Sequence, residues 1–315
     1  MSRQPKPGVA VVGSSNMDLV VKSQRIPIIG ETILGGDFIM VPGGKGANQA
    51  VAAAKLGATV YFIAKLGDDI FGSQSLANFK KEGVNTKYVT RSKATPSGVA
   101  LIMVDEQGRN SIVVAPGANQ KLSPKDVIKA KKNIASCGAV VAQLEISLET
   151  VICAAETANK SKVPFILNPA PARQLSDELL KLVDVLTPNE TEAKILTGIN
   201  VSDADSGRKA ADTLLARGVK TVILTLGAQG YLHVDSRTFE LVAAHKVTPV
   251  DTTAAGDAFT GGLAFGIAKG QSIRDAARLA NCVAALSVTK MGAQPSMPTL
   301  REVERFIKNA GRTGL

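Results

Sequence analysis

A glycine-rich segment, GGKGANQA at residues 43–50, carries the first residue types suited to ligand chemistry. Consecutive glycines before a helix allow the backbone to approach a ligand closely and direct amide N–H groups at it. Lys45 and Asn48 add two side-chain donors beside the same turn. The segment is not a Walker A loop, because Ile39 stands where that motif requires glycine and Gly46 replaces its serine or threonine. A plain strand-to-helix turn needs only one glycine, so the segment predicts a ligand-binding site.

A second segment, DTTAAGD at residues 251–257, precedes a run of small residues. Residues 254–256 can form a turn whose free N–H groups open into a helix, with the positive end of the helix dipole at the turn. Such a turn suits a phosphoryl group in transfer. Asp257 then fits two roles: a carboxylate that stabilises the first helical turn, or a base that accepts a hydroxyl proton. The helix N-terminus is expected to lower the pKa of Asp257.

Polar residues also follow several predicted strands. Asn189 and Glu192 are three residues apart, which fits reciprocal capping of a helix and also an amide and a carboxylate that arrange phosphate and Mg²⁺. The glycine-containing loop at residues 225–230 fits a nucleotide cradle, although it is a weak signal by itself. Three further residues at strand ends suit hydrogen bonding to a polyol, and each also fits an ordinary turn: Asn16, Asp18 and Glu145.

Short β-branched runs alternate with longer amphipathic segments along most of the chain. This alternation predicts an α/β fold with a mainly parallel sheet covered by helices on both faces. Two extended stretches, at about 14–44 and 96–117, predict a small β element inserted into that body. No linker or internal repeat divides the chain, so residues 1–315 are expected to form one domain. The predicted strands of the main sheet are Val9–Val12, Val60–Ala64, Ala139–Gln143, Pro164–Leu167, Val183–Leu186 and Thr221–Thr225.

Composition excludes several classes of protein. The 315 residues include 37 lysines and arginines against 27 aspartates and glutamates, which gives a net charge of +10. The basic residues are scattered and aromatic residues make up only 4%, without tryptophan, so nucleic-acid binding is not expected. No apolar run approaches about 18 residues, so no membrane span is expected either.

The cysteines and the chain ends bear on location. The three cysteines lie in apolar segments without CxxC or Cys/His spacing, which argues against a disulfide framework or a zinc site. Inert thiols in a reducing compartment are expected. The first residues lack the apolar core of a secretory signal, and the last three residues, TGL, are not a peroxisomal signal. A cytoplasmic location is therefore expected.

Together these motifs resemble the ribokinase family of carbohydrate kinases, from about Val9 to the C-terminus. Residues 43–50 match the first family signature, with Gly57 and Gly67 at the family's spacing. Residues 251–257, followed by GGL at 261–263, match the second. Further segments follow in the family's order: QLE at 143–145, NPAPAR at 168–173, NETE at 189–192, TLGAQG at 225–230 and GAQPS at 292–296.

The resemblance implies a three-layer α/β/α sandwich with a small β-sheet lid that also forms a homodimer interface. It implies ATP-dependent phosphorylation of D-ribose at the 5-hydroxyl, with Mg²⁺ and an activating monovalent cation, usually K⁺. It also assigns roles by position. Asp257 would be the base, and the backbone amides of Ala254, Ala255, Gly256 and Asp257 would form the anion hole.

The remaining implied positions fall into three groups. The sugar would contact Asn16, Asp18, Gly43, Gly44, Lys45, Asn48, Glu145 and Asp257. The nucleotide would contact Asn189, Thr225, Gly227, Gly230, Gly256 and Asn281, with Glu192 governing Mg²⁺ and phosphate. The cation would lie near Asp251, Thr253, Ser287, Lys290, Gly292 and Ser296, partly on backbone carbonyls.

Two positions depart from the common family pattern, and several alternatives stay open. Many relatives have glycine at the position of Ala254, and a histidine often stands at that of Asn281. Within the fold, the alternatives are a deoxyribokinase, a fructokinase or a nucleoside kinase, although the last should need aromatic cover for a base. From another class, the chain could be a catalytically silent sugar-binding regulator. The presence of Gly256 and Asp257 argues against that class.

Overall fold

A computed structural model describes residues 7–313 of the chain. These residues form thirteen strands. In chain order they are β1 (Gly8–Val12), β2 (Asn16–Lys22), β3 (Phe38–Gly43), β4 (Thr59–Gly67), β5 (Asn85–Ser92), β6 (Gly98–Val104), β7 (Asn110–Ala115), β8 (Ala139–Ala142), β9 (Phe165–Leu167), β10 (Val185–Leu186), β11 (Thr221–Thr225), β12 (Tyr231–Asp235) and β13 (Phe239–Val242).

Ten α-helices connect or follow these strands within the described residues. They are α1 (Lys45–Lys55), α2 (Ile70–Lys81), α3 (Pro124–Ile134), α4 (Leu148–Lys160), α5 (Asp177–Leu180), α6 (Glu190–Thr197), α7 (Ala204–Ala216), α8 (Ala255–Ala268), α9 (Ile273–Ser287) and α10 (Leu300–Thr313). Within residues 7–313, every helix is too short or too polar to span a lipid bilayer.

Nine strands form the large sheet, in the order β13-β12-β11-β10-β9-β8-β1-β4-β5. All neighbours are parallel except β11–β12 and β12–β13, which are antiparallel. The predicted mainly parallel sheet is therefore confirmed. Six of its strands are those expected from the sequence, whereas β5, β12 and β13 are not among them.

Side-chain alternation along β1 shows how the two hydrophobic cores arise. Val9 and Val11 pack in one core with residues of α1, α8 and α9, whereas Ala10 and Val12 pack in the other with α3, α4 and α7. Successive side chains of a strand point to opposite faces, so the fully apolar strand requires helices on both sides. The three-layer α/β/α architecture follows.

Four strands form a separate small sheet in the order β3-β2-β6-β7. They fall within the two stretches predicted to form a β element, and residues 23–37 between β2 and β3 are not in strands. Asp18 is paired with Ala100, and Ala100 with Val114, and all three line the cavity described below. By alternation, their sequence neighbours Leu19, Leu101 and Val113 lie on the opposite face of the sheet.

Candidate active site

A cavity of about 620 Å³ lies where the parallel strands end and the small sheet begins. Glu145, Asn168 and Thr187 follow β8, β9 and β10, and Thr225 ends β11; all four line the cavity. Because parallel strands bring their carboxyl ends to one edge, α/β sheets commonly bind ligands there. The predicted site residues that line it are Asn16, Asp18, Gly44, Lys45, Asn48, Glu145, Asn189, Glu192, Thr225, Thr253, Ala254, Ala255, Gly256 and Asp257.

Asp257 lies in the first turn of α8 with its carboxylate buried in the protein. Its Oδ2 accepts from Asn48 Nδ2 at 2.9 Å, and its Oδ1 accepts from Gln49 Nε2 at 2.8 Å. The pKa of Asp257 is raised, because burial outweighs the lowering effects of Lys45, Asn48 and Gln49. The expectation of a lowered pKa was therefore wrong: the helix N-terminus does not compensate for loss of hydration.

The turn before α8 leaves backbone donors free at the cavity. Ala254 has a left-handed conformation with φ of 59° and begins the helix without a side-chain cap. The Ala255 N–H donates to the Thr252 carbonyl at 3.2 Å, so it is partly taken up within the turn. The N–H groups of Ala254, Gly256 and Asp257 have no acceptor among the described residues. The predicted anion hole is therefore open at three of its four amides.

Lys45 and four carboxylates, Asp18, Glu145, Glu192 and Asp257, meet at one side of the cavity. Burial, followed by the charges of Glu145 and Asp257, raises the pKa of Asp18 to about 7. Burial alone would lower the pKa of Lys45, but Asp257, Glu145, Glu192 and Asp18 raise it above its ordinary value. Lys45 therefore stays charged and partly balances the carboxylates around it.

Hydrogen bonds hold the residues at the ends of the small sheet's strands against this side of the cavity. The Glu145 carboxylate accepts from Ser14 Oγ and from the Lys45 N–H. Asn119 Nδ2 donates to Asn16 Oδ1 at 2.8 Å and fixes the direction of that amide. Gly43 does not line the cavity, but it lies directly against Asp18: a Cβ at this position would come within 2.2 Å of Asp18 Oδ2.

Asn189 and Glu192 fulfil the structural role that their spacing allowed and also face the cavity. Asn189 Oδ1 accepts from the Glu192 N–H at 2.8 Å, and Glu192 Oε2 accepts from the Asn189 N–H at 2.9 Å. Burial raises the pKa of Glu192. The cap holds both side chains at the cavity edge, so the two interpretations are compatible.

The other predicted nucleotide positions lie outside the main cavity. Gly227 and Gly230 flank the short turn after β11 with φ of 52° and 105°, and a Cβ at Gly230 would come within 2.0 Å of the Val242 carbonyl. Asn281, on α9, donates to the Ala243 carbonyl at 2.8 Å. It lines a second cavity of about 400 Å³ with His245 and Cys282.

Hydrogen bonds connect only some of the six residues predicted to lie near the cation. Asp251 accepts from the N–H and Oγ1 of Thr253 at 2.9 and 2.6 Å, and from the Gly292 N–H at 2.8 Å. The Ser287 carbonyl accepts from the Lys290 N–H, whereas Lys290 Nζ binds Glu302 at 2.6 Å. Ser296 Oγ donates to the Ala293 carbonyl. Among the described residues, no group of three or more His, Cys, Asp or Glu side chains forms a metal site.

A family model described as pfkB family carbohydrate kinase matches residues 6–300. This chain belongs to the PfkB family of carbohydrate kinases. The kinase is 43% identical to a ribokinase of Haemophilus influenzae over 302 residues, covering 96% of this chain and 99% of the relative. It is 41% identical to a deoxyribokinase of Salmonella typhi over 300 residues, covering 95% and 98%.

The fold of the kinase is similar to that of Arabidopsis thaliana ribokinase, whose structure contains ribose and ATP. The TM-score is 0.89 at 34% sequence identity, and the match covers 96% of this chain and 99% of the other. The predicted family membership and ribokinase-like α/β fold are confirmed.

Sequence reasoning missed several polar residues at the centre of the kinase site. Gln49, which contacts Asp257, lies inside the glycine-rich segment, but its position on the buried face of α1 could not be distinguished from ordinary packing. Asn168 accepts from Gln49 Nε2 at 3.1 Å and donates to the Thr187 carbonyl at 3.0 Å. It lies in the NPAPAR segment, which supported the family resemblance without a role for this residue.

Proposed function

We propose that this PfkB-family kinase transfers the γ-phosphoryl group of ATP to the 5-hydroxyl of D-ribose. The observation that carries the proposal is the position of Asp257: a buried carboxylate between the polar wall of the cavity and the free amides that begin α8. The ribokinase relative and the ribose and ATP complex of the Arabidopsis enzyme support ribose as acceptor and ATP as donor.

The sugar binds against the small sheet and the glycine-rich turn. Asn16, Asp18, Lys45 and Glu145 offer acceptors and a charged donor to the hydroxyl groups of a small sugar. Apolar residues of the small sheet, Ala100, Ile102, Ile112 and Val114, line the same cavity beside Asp18. Such cover excludes water from the acceptor hydroxyl, which strengthens the electrostatic interactions at the reacting atoms.

Phosphoryl transfer follows from the placement of two groups on α8. The 5-hydroxyl oxygen forms a bond to the γ-phosphorus, and the bond from that phosphorus to the bridging oxygen breaks, so that ADP leaves with the electron pair. Asp257 accepts the hydroxyl proton, and its raised pKa makes it a better proton acceptor than an exposed aspartate. The N–H groups of Gly256 and Asp257 donate to the phosphoryl oxygens as charge develops on them.

The nucleotide phosphates extend from α8 toward Asn189 and Thr225, with the base in the direction of Asn281. The glycine turn at Gly227–Gln229 and Gly230 allow close approach of the backbone to the nucleotide. Glu192, half-buried at the cavity edge, would hold a Mg²⁺ ion through phosphate and water. That ion would neutralise phosphate charge.

The loop around Asp251 fits a monovalent cation such as K⁺. The Asp251 carboxylate accepts three hydrogen bonds from Thr253 and Gly292 and keeps a further lone pair, and a carboxylate oxygen suits a hard cation. Lys290 contributes only its carbonyl, because its ammonium group is paired with Glu302. A cation there would stabilise the turn that precedes α8.

The test of the proposal is ADP release with MgATP and D-ribose, 2-deoxyribose, D-fructose or adenosine, each with and without K⁺. Deoxyribose is included because the deoxyribokinase relative is almost as similar as the ribokinase. Turnover highest with ribose and increased by K⁺ supports the proposal and the cation site. Turnover only with another acceptor overturns the ribose assignment, and ribose binding without turnover indicates a sugar-binding regulator.

The small sheet also supports assembly of two copies through the face that points away from the cavity. Met40, Leu19, Leu101 and Val113 form one cross-strand row, and three of the four are about half exposed or more. An apolar row on a four-stranded sheet is suited to an interface. Light scattering should show a dimer that Leu101→Lys dissociates, whereas Leu241→Lys on β13 leaves it intact; a monomeric wild-type chain overturns the dimer.

The unpaired cysteines support the proposal of a cytoplasmic location. Cys137, Cys153 and Cys282 are all unpaired, and burial raises the pKa of each thiol. Such thiols are typical of a reducing compartment, where ATP is also available. Cell fractionation with an antibody against the chain tests this location.

A further inference from the structure

Both oxygens of the Asp257 carboxylate are held by side-chain amides of α1. Asn48 and Gln49 donate to Oδ2 and Oδ1 at 2.9 and 2.8 Å. An ionised carboxylate has no hydrogen to donate, so each amide must turn its NH₂ group toward Asp257. The carbonyl oxygen of each amide therefore points away from Asp257 and requires a donor of its own in the protein interior.

Each of these amide oxygens meets the NH₂ group of another amide. Gln143 Nε2 donates to Gln49 Oε1 at 2.6 Å, and we name Gln143–Gln49 the short relay. Gln294 Nε2 donates to Asn48 Oδ1 at 3.2 Å, and Asn78 Nδ2 donates to Gln294 Oε1 at 2.7 Å. We name Asn78–Gln294–Asn48 the long relay. In both relays every NH₂ group points toward Asp257.

Burial makes the direction of these amides difficult to reverse. Gln49 and Gln143 are completely buried, and Gln294 and Asn48 are nearly so. In its present direction Gln143 leaves its Oε1 without a partner in the described structure. That oxygen lies beside Gly13, where a Cβ would come within 2.1 Å of it. An unpaired buried oxygen is destabilising, so the observed direction of the Gln143 amide costs stability. That same direction is the one in which Gln143 donates to Gln49.

We infer that the two relays are positioning devices for phosphoryl transfer, which fix the direction of Asn48 and Gln49 and thereby aim the Asp257 carboxylate at the acceptor hydroxyl. This inference rests on the proposed role of Asp257 as base. Gln143, Gln294 and Asn78 do not line the cavity, so they act through other residues and are positioning residues. A carboxylate that is free to rotate would lose the alignment on which the rate depends.

A polar network that only fills the interior would behave differently from a relay. Its removal would lower stability, but it would not lower kcat selectively at an unchanged KM. In a relay, Gln143 acts only through Gln49, so its effect must disappear once Gln49 is replaced.

The short relay is tested by a double-mutant cycle with Gln143→Met and Gln49→Met, which keep the side-chain volume but remove the amide. Loss of the Gln143 donor to Gln49 should lower kcat about fivefold, the effect of one hydrogen bond between neutral groups, with the KM for the sugar unchanged. The double variant should be no slower than Gln49→Met alone. Losses that multiply in the double variant overturn the short relay.

The long relay is tested at its far end, where folding is least affected. Asn78 is only half-buried on α2, so its replacement should leave the fold intact. Asn78→Ala therefore tests the positioning of Asp257 even if Gln143→Met does not fold. Asn78→Ala should lower kcat about threefold or more without a change in KM. The effect is modest because the variant frees Gln294, at the far end of the relay, and not the Asp257 carboxylate itself. Asn85→Ala, an exposed asparagine on β5, is the matched control. An unchanged kcat in Asn78→Ala overturns the long relay.

The assays use the sugar that the wild-type enzyme phosphorylates fastest. A wrong assignment of ribose therefore leaves the relay test intact. An active wild type with unaffected variants overturns the relays but not the proposed function. A wild type inactive with every sugar overturns both.

Discussion

The N–H of Lys45 donates to Oε2 of Glu145 at 3.0 Å, although the two residues are 100 positions apart. This bond joins the glycine-rich turn before α1 to the loop after β8. Because the side chains of both residues line the cavity, the bond fixes one wall of the proposed sugar site. The same wall then carries a lysine and a carboxylate in a fixed relative position.

Replacement of the Lys45 side chain should therefore weaken sugar binding. Lys45→Met keeps the N–H donor to Glu145 but removes the charge that balances Asp257, Glu145, Glu192 and Asp18. The KM for ribose should rise by about tenfold or more, the effect of a lost charged hydrogen bond. Steady-state kinetics measures this change. Lys132→Met, an exposed lysine on α3, is the control, and an unchanged ribose KM in Lys45→Met contradicts the placement of the sugar.

Removal of the proposed base should affect turnover and not sugar binding. Asp257→Asn keeps the shape but replaces one accepting oxygen with an NH₂ group and cannot accept a proton, so kcat should fall by about 10²–10⁴-fold. Calorimetry should show ribose binding within a few-fold of the wild type. Glu149→Gln removes an exposed first-turn carboxylate from α4 and should leave kcat unchanged. Near-normal turnover in Asp257→Asn would exclude it as the base.

The stability of the substrate-free protein should depend on the ionisation of Asp18. Its pKa rises from 3.8 to about 7 on folding, so the folded state holds the proton more tightly than the unfolded state. The protonated form is therefore favoured by folding, and this stabilisation is lost as pH rises from about 4 to 7. Asp18→Asn, neutral at every pH, should exceed the wild type at pH 8 by roughly 2–4 kcal/mol in free energy of unfolding.

Urea denaturation at pH 5 and pH 8 measures this difference. The advantage of Asp18→Asn over the wild type should be about half as large at pH 5 as at pH 8, because the carboxyl of the unfolded chain is already mostly ionised at pH 5. Asp205→Asn, in the first turn of α7, serves as the exposed control. A difference that is the same at both pH values contradicts a raised pKa for Asp18.

Gly44 should be intolerant of a side chain because it combines an unusual backbone conformation with close contact. Its φ is 89°, and a Cβ would come within 2.6 Å of the Asn16 backbone nitrogen. Gly44→Ala should therefore displace Asn16 and raise the KM for ribose. Gly57→Ala is the matched control, since Gly57 has φ of 98° with nothing within 4 Å of its Cβ position. It should lower stability by about 1–2 kcal/mol and leave the KM unchanged. Equal effects of both variants on the KM contradict the contact argument.

The parts of the fold that were predictable are those dictated by local sequence. β1 and β11 are apolar runs buried on both faces, and such runs predict parallel strands without further information. β5 alternates between exposed and half-buried residues, and its apolar side chains are too few to mark it. β12 follows β11 after one short turn and pairs antiparallel with it, which departs from the strand–helix alternation that the prediction relied on.

In the candidate site, too, only the features with a local sequence signal were predictable. The types and spacing of residues 251–257 placed Asp257 at a helix start, as the structure has it. The predicted direction of the Asp257 pKa shift was wrong, because the burial of Asp257 depends on residues far away in the chain. Gln49 contacts it from 208 positions away, and Gln294 acts on Asn48 from 246. Such contacts leave no local pattern in the sequence.

Identification of the product formed from MgATP and D-ribose is the most direct test of the proposed kinase activity. Mass spectrometry should show ribose carrying one phosphoryl group, and ³¹P–¹H correlation should place it on the oxygen of C5. The Asp257→Asn variant under the same conditions should form almost none. Ribose phosphorylated at C1, or no phosphorylated sugar after prolonged incubation with folded enzyme, would contradict the account.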